Sequence, residues 1–375
     1  MTFTASQPAG VGVVGVGNIL GRYLSGMSRF PELWVVGCAS RSRERAQAVA
    51  KDHGIAAFGS VSELLGSSEV DVVLNITPPR AHASVTRDAL SAGKHVYVEK
   101  PITAELAEAH PLISQARSAG LLLGSAPDTF LGSAGQTARR AIDEGLIGEP
   151  IGVAAFITSG KVETWHPDPT FLFQPGGGPA LDMGPYYLTW MVNCLGAIRS
   201  VSGRSRIGSP VLAVTSPDRR VDSIQVTTPT HVSSVLEFES GVVGTFMASF
   251  DVWDHHLPRI EIYGTDATMS LPDPNTFDGD VAVKERGADD WRVLPPVIPP
   301  FAQPGSMDQY RRGPGVYRRG PGVADLVGAL NGAPQRASAE LACHVLEAIA
   351  SIEQSSQTST VITLASRVER PAPVM

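Results

Sequence analysis

Cysteine is scarce in this chain of 375 residues, which contains only Cys38, Cys194 and Cys343. The three are far apart in sequence and form no C-x-x-C pair, so neither a disulfide framework nor a cysteine-based zinc or redox motif is indicated. We therefore expect all three thiols to be reduced, and mostly buried as small apolar side chains, as in an intracellular protein.

Basic residues are not in excess either. The formal net charge is −7, and charged residues make up only 18% of the chain. This balance argues against nucleic acid or an anionic membrane as the main partner. No apolar run approaches the roughly 20 residues of a membrane-spanning helix, and the first ten residues lack the features of a signal peptide. The sequence predicts a cytoplasmic globular protein, and its length favours two domains.

Metal ligands are also sparse. His255 and His256 are adjacent, so on a strand they would point to opposite faces. No spacing of Cys, His or Asp in the chain is typical of a metal site. We therefore predict no bound metal.

The stretch that organises the chain is an apolar strand, Val11–Val16, which runs into a glycine-rich turn and a helix-like segment. Gly15 and Gly17 form the G-x-G of a dinucleotide-binding loop, in which the first glycine allows the tight turn and the second lets the backbone approach a pyrophosphate. The third glycine of the pattern comes one residue late, at Gly21 instead of Leu20. That glycine serves packing, so the loop still fits nucleotide binding. A plain strand–helix turn is the alternative.

Short apolar strands alternate with helices through about residue 125, and this order is typical of a doubly wound parallel sheet. Residues 1–126 are therefore predicted to form a dinucleotide-binding (Rossmann) domain of α/β class. Further strands are predicted at Leu33–Cys38, around Ala57–Phe58, and at Val70–Ile76, His95–Val98 and Leu121–Gly124. Helices are predicted at Ile19–Phe30, Ser42–Asp52, Val61–Leu65, Arg80–Ala92 and Thr103–Ala119.

From about Pro127 the strands become longer and more alternating. Residues 127–375 are predicted to form an α+β domain with a large, open, mostly antiparallel sheet, which binds substrate and partner subunits. Val232–Glu239 and Val242–Phe250 are predicted to form a hairpin around Ser240-Gly241. Helices are predicted at Ser133–Glu144, Pro185–Leu195, Val323–Leu330 and Ser338–Glu353, the last two being candidates to pack on the first domain.

The motif Arg-Arg-Gly-Pro-Gly-Val occurs twice, at 311–316 and at 318–323. Two copies with this period are too short for a solenoid. We interpret them as a duplicated surface loop, and the alternative is that their four arginines contact an anionic ligand. Because no helix or strand periodicity runs through Leu294–Gly322, we expect that segment to be exposed and partly mobile.

Ser40 and Arg41 stand just past the second strand, where NAD-binding folds place an acidic residue that holds the ribose hydroxyls. A carboxylate here would repel a 2′-phosphate by up to about 4 kcal/mol. Arg41, with Arg43 and Arg45 close behind, would attract it. The pattern favours NADP(H), with NAD(H) as the alternative cofactor. The alternative is that these three arginines bind no ligand and lie in solvent at the start of a helix.

Two constellations carry candidate catalytic groups. Lys100 lies in Glu99-Lys100-Pro101 at the carboxyl end of a strand, where open α/β sheets bind ligands, although most lysines are simply surface residues. Its ammonium would donate to a substrate hydroxyl or lower the pKa of a neighbouring acid–base group. Asp182 and Tyr186 follow a glycine run and lie four residues apart, on one face of a helix. The alternative is that Asp182 caps the helix and Tyr186 belongs to the core.

These segments, taken in order, resemble the glucose–fructose oxidoreductase / inositol dehydrogenase (Gfo/Idh/MocA) family over nearly the whole chain. The resemblance rests on Gly15–Ile19, Asn75–Pro79 with His82, Gly93–Pro101 and Gly177–Gly184. It implies a Rossmann domain and a second domain whose open sheet often mediates oligomers, so a homodimer or homotetramer is expected. It also implies hydride transfer between NAD or NADP and a ring carbon of a sugar, glycoside or cyclitol.

The resemblance assigns residue roles as well. Lys100 corresponds to the family lysine and Asp182 to the family aspartate, while Tyr186 stands where most members have a histidine, which makes it the leading acid–base candidate. His166, in the Trp165-His166-Pro167 loop, is the second candidate. Expected substrate contacts are Lys100, Asp128, His166, Asp182 and Tyr186, with selectivity from residues such as Asp128, Trp165, Trp253 and His255. Expected cofactor contacts are Gly15, Gly17, Asn18, Ile19, Ser40, Arg41, Arg45, Thr77, Pro78, His82, Glu99, Lys100 and Trp165.

Two other functions stay open on the sequence. A protein that binds nucleotide as a regulator, without catalysis, is favoured if Tyr186 replaces a histidine that catalysis needs. A lyase or glycosidase that uses bound NAD transiently would oxidise, eliminate and reduce within one cycle, with no net release of reduced cofactor.

Overall fold

The computed structural model describes residues 2–158, 160–299 and 318–374. The chain divides into two compact units. The first contains the residues up to Gly132 and the described part of Ile298–Cys343, and the second contains Ser133–Val297 and His344–Pro373. None of the helices described is long and apolar enough to cross a membrane.

The first unit is built on a parallel sheet, which confirms the predicted doubly wound fold. Its two central strands, Ala9–Val14 and Val72–Asn75, are buried along their whole length, as expected when helices cover both faces of a sheet. In the described part of the chain the strand order is β2-β1-β3-β4-β5, and every pairing is parallel. The strands are β1 (Ala9–Val14), β2 (Leu33–Ala39), β3 (Val72–Asn75), β4 (His95–Val98) and β5 (Leu123–Ser125).

Serine side chains cap the start of two helices in this unit. Ser42 accepts a hydrogen bond from the backbone N–H of Arg45 at the start of α2, and Gly54 ends the helix in the left-handed region. Ser60 caps the next helix through the N–H of Glu63. The helices are α1 (Leu20–Met27), α2 (Arg43–His53), α3 (Val61–Gly66), α4 (Pro79–Ser91) and α5 (Leu106–Ser118).

The prediction of a strand around Ala57–Phe58 is wrong. Ala57 forms only an isolated bridge with Cys38, so the described sheet has five strands and not six. The segment lies between the end of α2 at Gly54 and the cap of α3 at Ser60, which leaves too few residues for a continuous ladder.

The second unit contains a large mixed sheet, again as predicted. β6 and β11 pair in parallel, whereas the other neighbours are antiparallel. The described order is β15-β14-β13-β12-β6-β11-β10-β7-β16, with β8 and β9 forming a separate hairpin. The strands are β6 (Pro150–Thr158), β7 (Ile198–Arg206), β8 (Val211–Ala213), β9 (Ser223–Gln225), β10 (His231–Phe238), β11 (Val243–Ser249), β12 (Ile260–Gly264), β13 (Ala267–Leu271), β14 (Ala282–Glu285), β15 (Arg292–Val293) and β16 (Ile362–Thr363).

The β10–β11 hairpin turns at Gly241, which has φ +86°, and this confirms the predicted hairpin. Burial alternates along both strands, so the sheet has one covered and one open face. Val235 and Val243 lie on the open face and are each about half exposed.

The later helices are α6 (Ser133–Asp143), α7 (Pro179–Leu195), α8 (Pro321–Leu330) and α9 (Ala339–Thr358). The sequence predicts that this helix begins at Pro185, but α7 begins at Pro179. Gly178 caps the helix with φ +92° and Pro179 takes its first position, where the missing N–H costs nothing, so Pro185 lies inside the helix.

The second copy of the repeated motif is not an exposed loop. Arg319 is buried, and Pro321 begins helix α8 in the first unit. The expectation of an exposed, mobile segment is therefore wrong for residues 318–322. The reason is close packing, because a Cβ on Gly26 would lie 1.7 Å from the carbonyl oxygen of Arg319. The first copy, 311–316, lies outside the described residues.

Candidate functional site

A cavity of about 720 Å³ opens beside the carboxyl ends of β1, β2 and β3, in the first unit. This is the edge at which open α/β sheets bind ligands. We call it the sheet-edge cavity. Most of the predicted cofactor residues line it, namely Gly15, Gly17, Asn18, Ile19, Ser40, Arg41, Arg45, Thr77 and Pro78.

The two glycines of the β1–α1 turn have different surroundings. Gly15 has φ +111°, and a Cβ there would lie 2.7 Å from the carbonyl oxygen of Ile76, so the turn requires glycine. A Cβ on Gly17 would meet no atom within 4 Å, because it would project into open space. This bare backbone, followed by the start of α1, fits a pyrophosphate group.

The charge of the sheet-edge cavity is positive. Arg41, Arg45 and Arg80 line it, and among the described residues that line it there is no carboxylate. The sequence predicts Arg80 only as the start of a helix, so its place in this cavity is an addition to the predicted cofactor residues. Its signal was its position, directly after Thr77-Pro78-Pro79 at the carboxyl end of β3. These arginines suit an anionic ligand group.

His82 does not line the sheet-edge cavity but is buried behind one of its loops. Its Nδ1 lies 2.7 Å from the carbonyl oxygen of Pro101, and its Nε2 lies 2.8 Å from that of Thr77. Burial lowers the pKa of the imidazole, although both carbonyls favour an N–H. His82 thus connects the backbone of the Thr77 loop to the segment that carries Lys100.

Glu99 is fixed by two hydrogen bonds. The Tyr23 hydroxyl donates to Oε1 at 2.8 Å, and the backbone N–H of Lys100 donates to Oε2 at 2.9 Å. Burial, and then the Glu99 charge, raise the pKa of Tyr23 well above its usual value, so the phenol stays a donor. Neither Glu99 nor Lys100 is among the residues that line the sheet-edge cavity. The two hydrogen bonds of Glu99 hold the backbone of Lys100 in place.

Asp128 is completely buried, which corrects its expected place in a substrate pocket. Its carboxylate accepts hydrogen bonds from the N–H groups of Gly320 and Gly322 and lies 3.4 Å from the Arg319 guanidinium. Burial raises its pKa, and the charge of Arg319 opposes that shift. These contacts make Asp128 an anchor for the start of α8, with no surface for a substrate.

Asp182 and Tyr186 both lie on α7, one helical turn apart. The helix is capped by Gly178, so the alternative in which Asp182 is the cap is wrong. Asp182 is half-buried, while Tyr186 is buried at 5% exposure. The preceding glycines pack closely, and the N–H of Gly178 donates to the carbonyl of Leu172 at 2.7 Å.

Trp165 and His166 follow a short turn in the second unit. Trp165 is 66% exposed and stacks edge-on against His166, with ring centroids 5.6 Å apart. Phe171 lies on the imidazole as well, at 5.5 Å. His166 Nδ1 accepts a hydrogen bond from the backbone N–H of Asp168, so the other ring nitrogen is the one left for a ligand.

Two family models match the chain. Residues 9–126 match an oxidoreductase family described as having an NAD-binding Rossmann fold (GFO_IDH_MocA), and residues 136–270 match the GFO/IDH/MocA C-terminal domain. The two matches together cover most of both units.

Characterised proteins are similar to the chain over different lengths. D-xylose 1-dehydrogenase (NADP(+)) 2 of Haloferax volcanii is 28% identical over 331 residues, which cover 87% of the chain and 90% of that relative. 1,5-Anhydro-D-fructose reductase of Ensifer adhaerens is 34% identical over 176 residues, or 46% of the chain, and the matched region spans about half (52%) of that relative's length.

The fold also matches solved structures. The crystal structure of an NAD binding oxidoreductase from Klebsiella pneumoniae superimposes with a TM-score of 0.80, covering 96% of the chain and 100% of that structure. Its sequence identity is 22%, so the similarity concerns the fold.

Proposed function

Because the chain belongs to the Gfo/Idh/MocA family of oxidoreductases with an NAD-binding Rossmann fold, we propose that it transfers a hydride between a nicotinamide dinucleotide and a ring carbon of a sugar, glycoside or cyclitol. The observation that carries the proposal is the bare backbone of Gly15 and Gly17 at the sheet-edge cavity. The relatives named above, a sugar dehydrogenase and a sugar reductase, support a carbohydrate as the substrate.

The preferred cofactor in this proposal is NADP(H). Gly15, Gly17 and the start of α1 would hold the pyrophosphate, and Arg41 with Arg45 would hold the 2′-phosphate. Arg80 adds a third positive charge to the same cavity. The bound nicotinamide would accept or supply the hydride. A relative named for NADP(+) agrees with this preference.

The proposed chemistry of the chain itself uses three residues. Tyr186 exchanges the proton of the substrate hydroxyl, and Lys100 stabilises the tyrosinate or alkoxide and orients the hydroxyl. Asp182, one turn before Tyr186 on α7, accepts hydrogen bonds from other substrate hydroxyls. His166 is the second acid–base candidate. Much of the rate comes from positioning these groups and from stabilising charge.

The cofactor assignment is tested by calorimetric titration of the nucleotide-stripped protein with NADP and, separately, with NAD. We expect tighter binding of NADP, and Arg41→Ala should weaken NADP binding by about tenfold or more while changing NAD binding little. Arg43→Ala is the matched control, because Arg43 is exposed two residues further on, at the start of α2, but does not line the cavity. Tighter binding of NAD would contradict the 2′-phosphate site. No binding of either nucleotide would contradict the function itself.

The catalytic assignment is tested by Lys100→Met and Tyr186→Phe. Each should lower kcat by about 10²-fold or more while nucleotide affinity is largely kept, because an acid–base group and its charge partner act mainly in the chemical step. Lys51→Met, at an exposed site on α2, is the control. Full turnover in Lys100→Met would overturn the assignment.

The same assays separate the two alternative functions. Tight nucleotide binding without turnover on any polyol would favour the regulator. Cofactor that is never released in reduced form would favour the lyase or glycosidase.

The open face of the second unit's sheet is the proposed contact for a homodimer or homotetramer. Val235 and Val243 place apolar surface there. Light scattering of Val235→Glu against the unchanged chain tests this, since a charge at a subunit contact should shift the protein towards monomer. The cytoplasmic location stays a prediction.

A further inference from the structure

The second unit contains a separate concave site of about 280 Å³. It lies where β6 and β11 end side by side, with Thr158 paired to Ser249. The segment that follows β6 contributes Lys161 and Glu163, and the segment that follows β11 contributes Asp251 and Trp253. We call this site the Trp253 pocket.

The floor of the Trp253 pocket is apolar. Phe173, Val226 and Phe250 line it and belong to a small hydrophobic core of their own, with Leu212 packed against that core. The rings of Phe173 and Phe250 are 5.6 Å apart, so the floor is a closely packed surface. A pocket with an apolar floor and a few polar groups is the usual form of a small-molecule site.

The polar groups of the pocket are available to a ligand. Within the described residues, neither the Lys161 ammonium nor the Glu163 carboxylate has a hydrogen bond or ion pair. The carboxylate of Asp251 accepts one side-chain hydrogen bond, from the Thr230 hydroxyl at 2.6 Å. Trp253 is 79% exposed, and the Lys161 ammonium lies 5.3 Å from the centre of its ring. Lys161 also has φ +76°, a backbone conformation that is uncommon for a residue other than glycine and is often found at functional sites.

The Trp253 pocket adjoins the helix that carries the proposed catalytic pair. Gly178 caps α7, and a Cβ on it would lie 3.0 Å from the carbonyl oxygen of Pro229. The next residue, Thr230, lines the pocket. The loop beside the pocket is therefore in contact with the start of the helix on which Asp182 and Tyr186 lie.

We propose that the Trp253 pocket binds a neutral sugar ring joined by a glycosidic bond to the ring that is oxidised or reduced, so that the substrate is a glycoside of at least two rings. A sugar ring fits this chemistry because its C–H groups pack on apolar and aromatic surface. Its hydroxyls donate to Glu163 and Asp251 and accept from Lys161. Two carboxylates against one ammonium repel a phosphate, so the pocket disfavours a nucleoside-diphosphate sugar. This inference rests on the proposed function for the identity of the reacting ring.

The test measures binding of named sugars to the full-length protein with saturating NADP, by saturation-transfer NMR and calorimetry. The probes are maltose, cellobiose and lactose as neutral disaccharides, glucose as the single ring, and UDP-glucose as the charged glycoside. At least one disaccharide should bind about tenfold more tightly than glucose and than UDP-glucose. Trp253→Ala should abolish that difference, and Glu163→Gln should reduce it.

Trp291→Ala is the matched control, because Trp291 is a half-exposed tryptophan of the same unit that lies outside the pocket. It should leave all affinities unchanged. The inference is overturned if no disaccharide binds more tightly than glucose, if UDP-glucose binds best, or if Trp253→Ala has no effect. Sugar binding is measured by a readout that does not depend on turnover, so the pocket can be confirmed even if hydride transfer to NADP, measured separately, fails.

Discussion

Gly15 and Gly17 lie two residues apart in one turn, yet they serve different ends. Gly15 takes a left-handed conformation and touches the backbone of Ile76, so its lack of a side chain is a requirement of the fold. Gly17 has free space around it and lines the sheet-edge cavity, so its lack of a side chain leaves room for a ligand. The same residue type thus contributes once to stability and once to binding.

This difference predicts opposite behaviour of two small substitutions. Gly15→Ala should lower the free energy of unfolding by about 1–3 kcal/mol, because the new methyl group clashes with the Ile76 carbonyl and the backbone is strained. Gly17→Ala should leave the stability nearly unchanged but weaken NADP binding by about tenfold or more, since the methyl group occupies the approach to the pyrophosphate. Urea unfolding and calorimetry measure the two effects. Equal destabilisation by both variants would contradict the assignment.

At the scale of elements, the start of α8 depends on one buried ion pair. Arg319 and Asp128 are both almost inaccessible to solvent, and they lie 191 residues apart in sequence. The Asp128 carboxylate also binds the backbone of Gly320 and Gly322, the residues that begin this helix. Removal of the arginine would leave a buried carboxylate without its counter-charge.

We therefore expect Arg319→Met to lower the free energy of unfolding by about 3–5 kcal/mol. The control is Arg117→Met, which removes an exposed pair with Glu340 and should cost at most about 1 kcal/mol. Asp128→Asn in the Arg319→Met background should recover part of the loss, because it removes the unpaired charge. Thermal and urea unfolding measure all three. A loss for Arg319→Met no larger than for Arg117→Met would show that the pair does not hold the helix.

Local patterns predicted most elements of the first unit because its strands are continuous apolar runs and its helices are closed by residues such as Ser42 and Gly54. The glycine turn at Gly15 and Gly17 and the position of Arg41 at the cavity were also predictable from the local sequence. The burial of Asp128 and of the second copy of the repeated motif was not predictable in this way, because each is buried by the other across a long stretch of chain. Arg80 was missed because its position after the carboxyl end of β3, its one signal, does not by itself distinguish a cavity-lining arginine from a solvated one.

At the scale of the whole molecule, histidines of both units are held in the neutral form by backbone donors. The N–H of Leu122 donates to His95 Nδ1, and the N–H of Ile198 donates to His344 Nε2. A nitrogen that accepts such a bond cannot carry a proton. Burial lowers the pKa of both residues, which agrees with this geometry.

The sign of the resulting pH dependence follows from the lowered pKa values. The unfolded chain binds these protons near pH 6.5, whereas the folded chain binds them only at lower pH. Each histidine therefore contributes stability that is complete above about pH 6.5 and is lost as the pH falls towards its folded pKa, at up to about 1.4 kcal/mol per pH unit. Burial raises the pKa values of Asp128 and Asp325, so these two carboxyls make the folded protein less stable, not more, as the pH rises.

The variants His95→Gln and His344→Gln separate these contributions. A glutamine oxygen can still accept the backbone hydrogen bond, but it does not titrate, so each variant should flatten the decline in unfolding free energy between pH 7 and pH 5. His256→Gln, at an exposed site, should leave the decline as it is. Urea unfolding at half-unit pH steps measures the slopes. If the slopes of both variants equal that of the unchanged protein, these histidines are protonated in the fold, against the donors that face them.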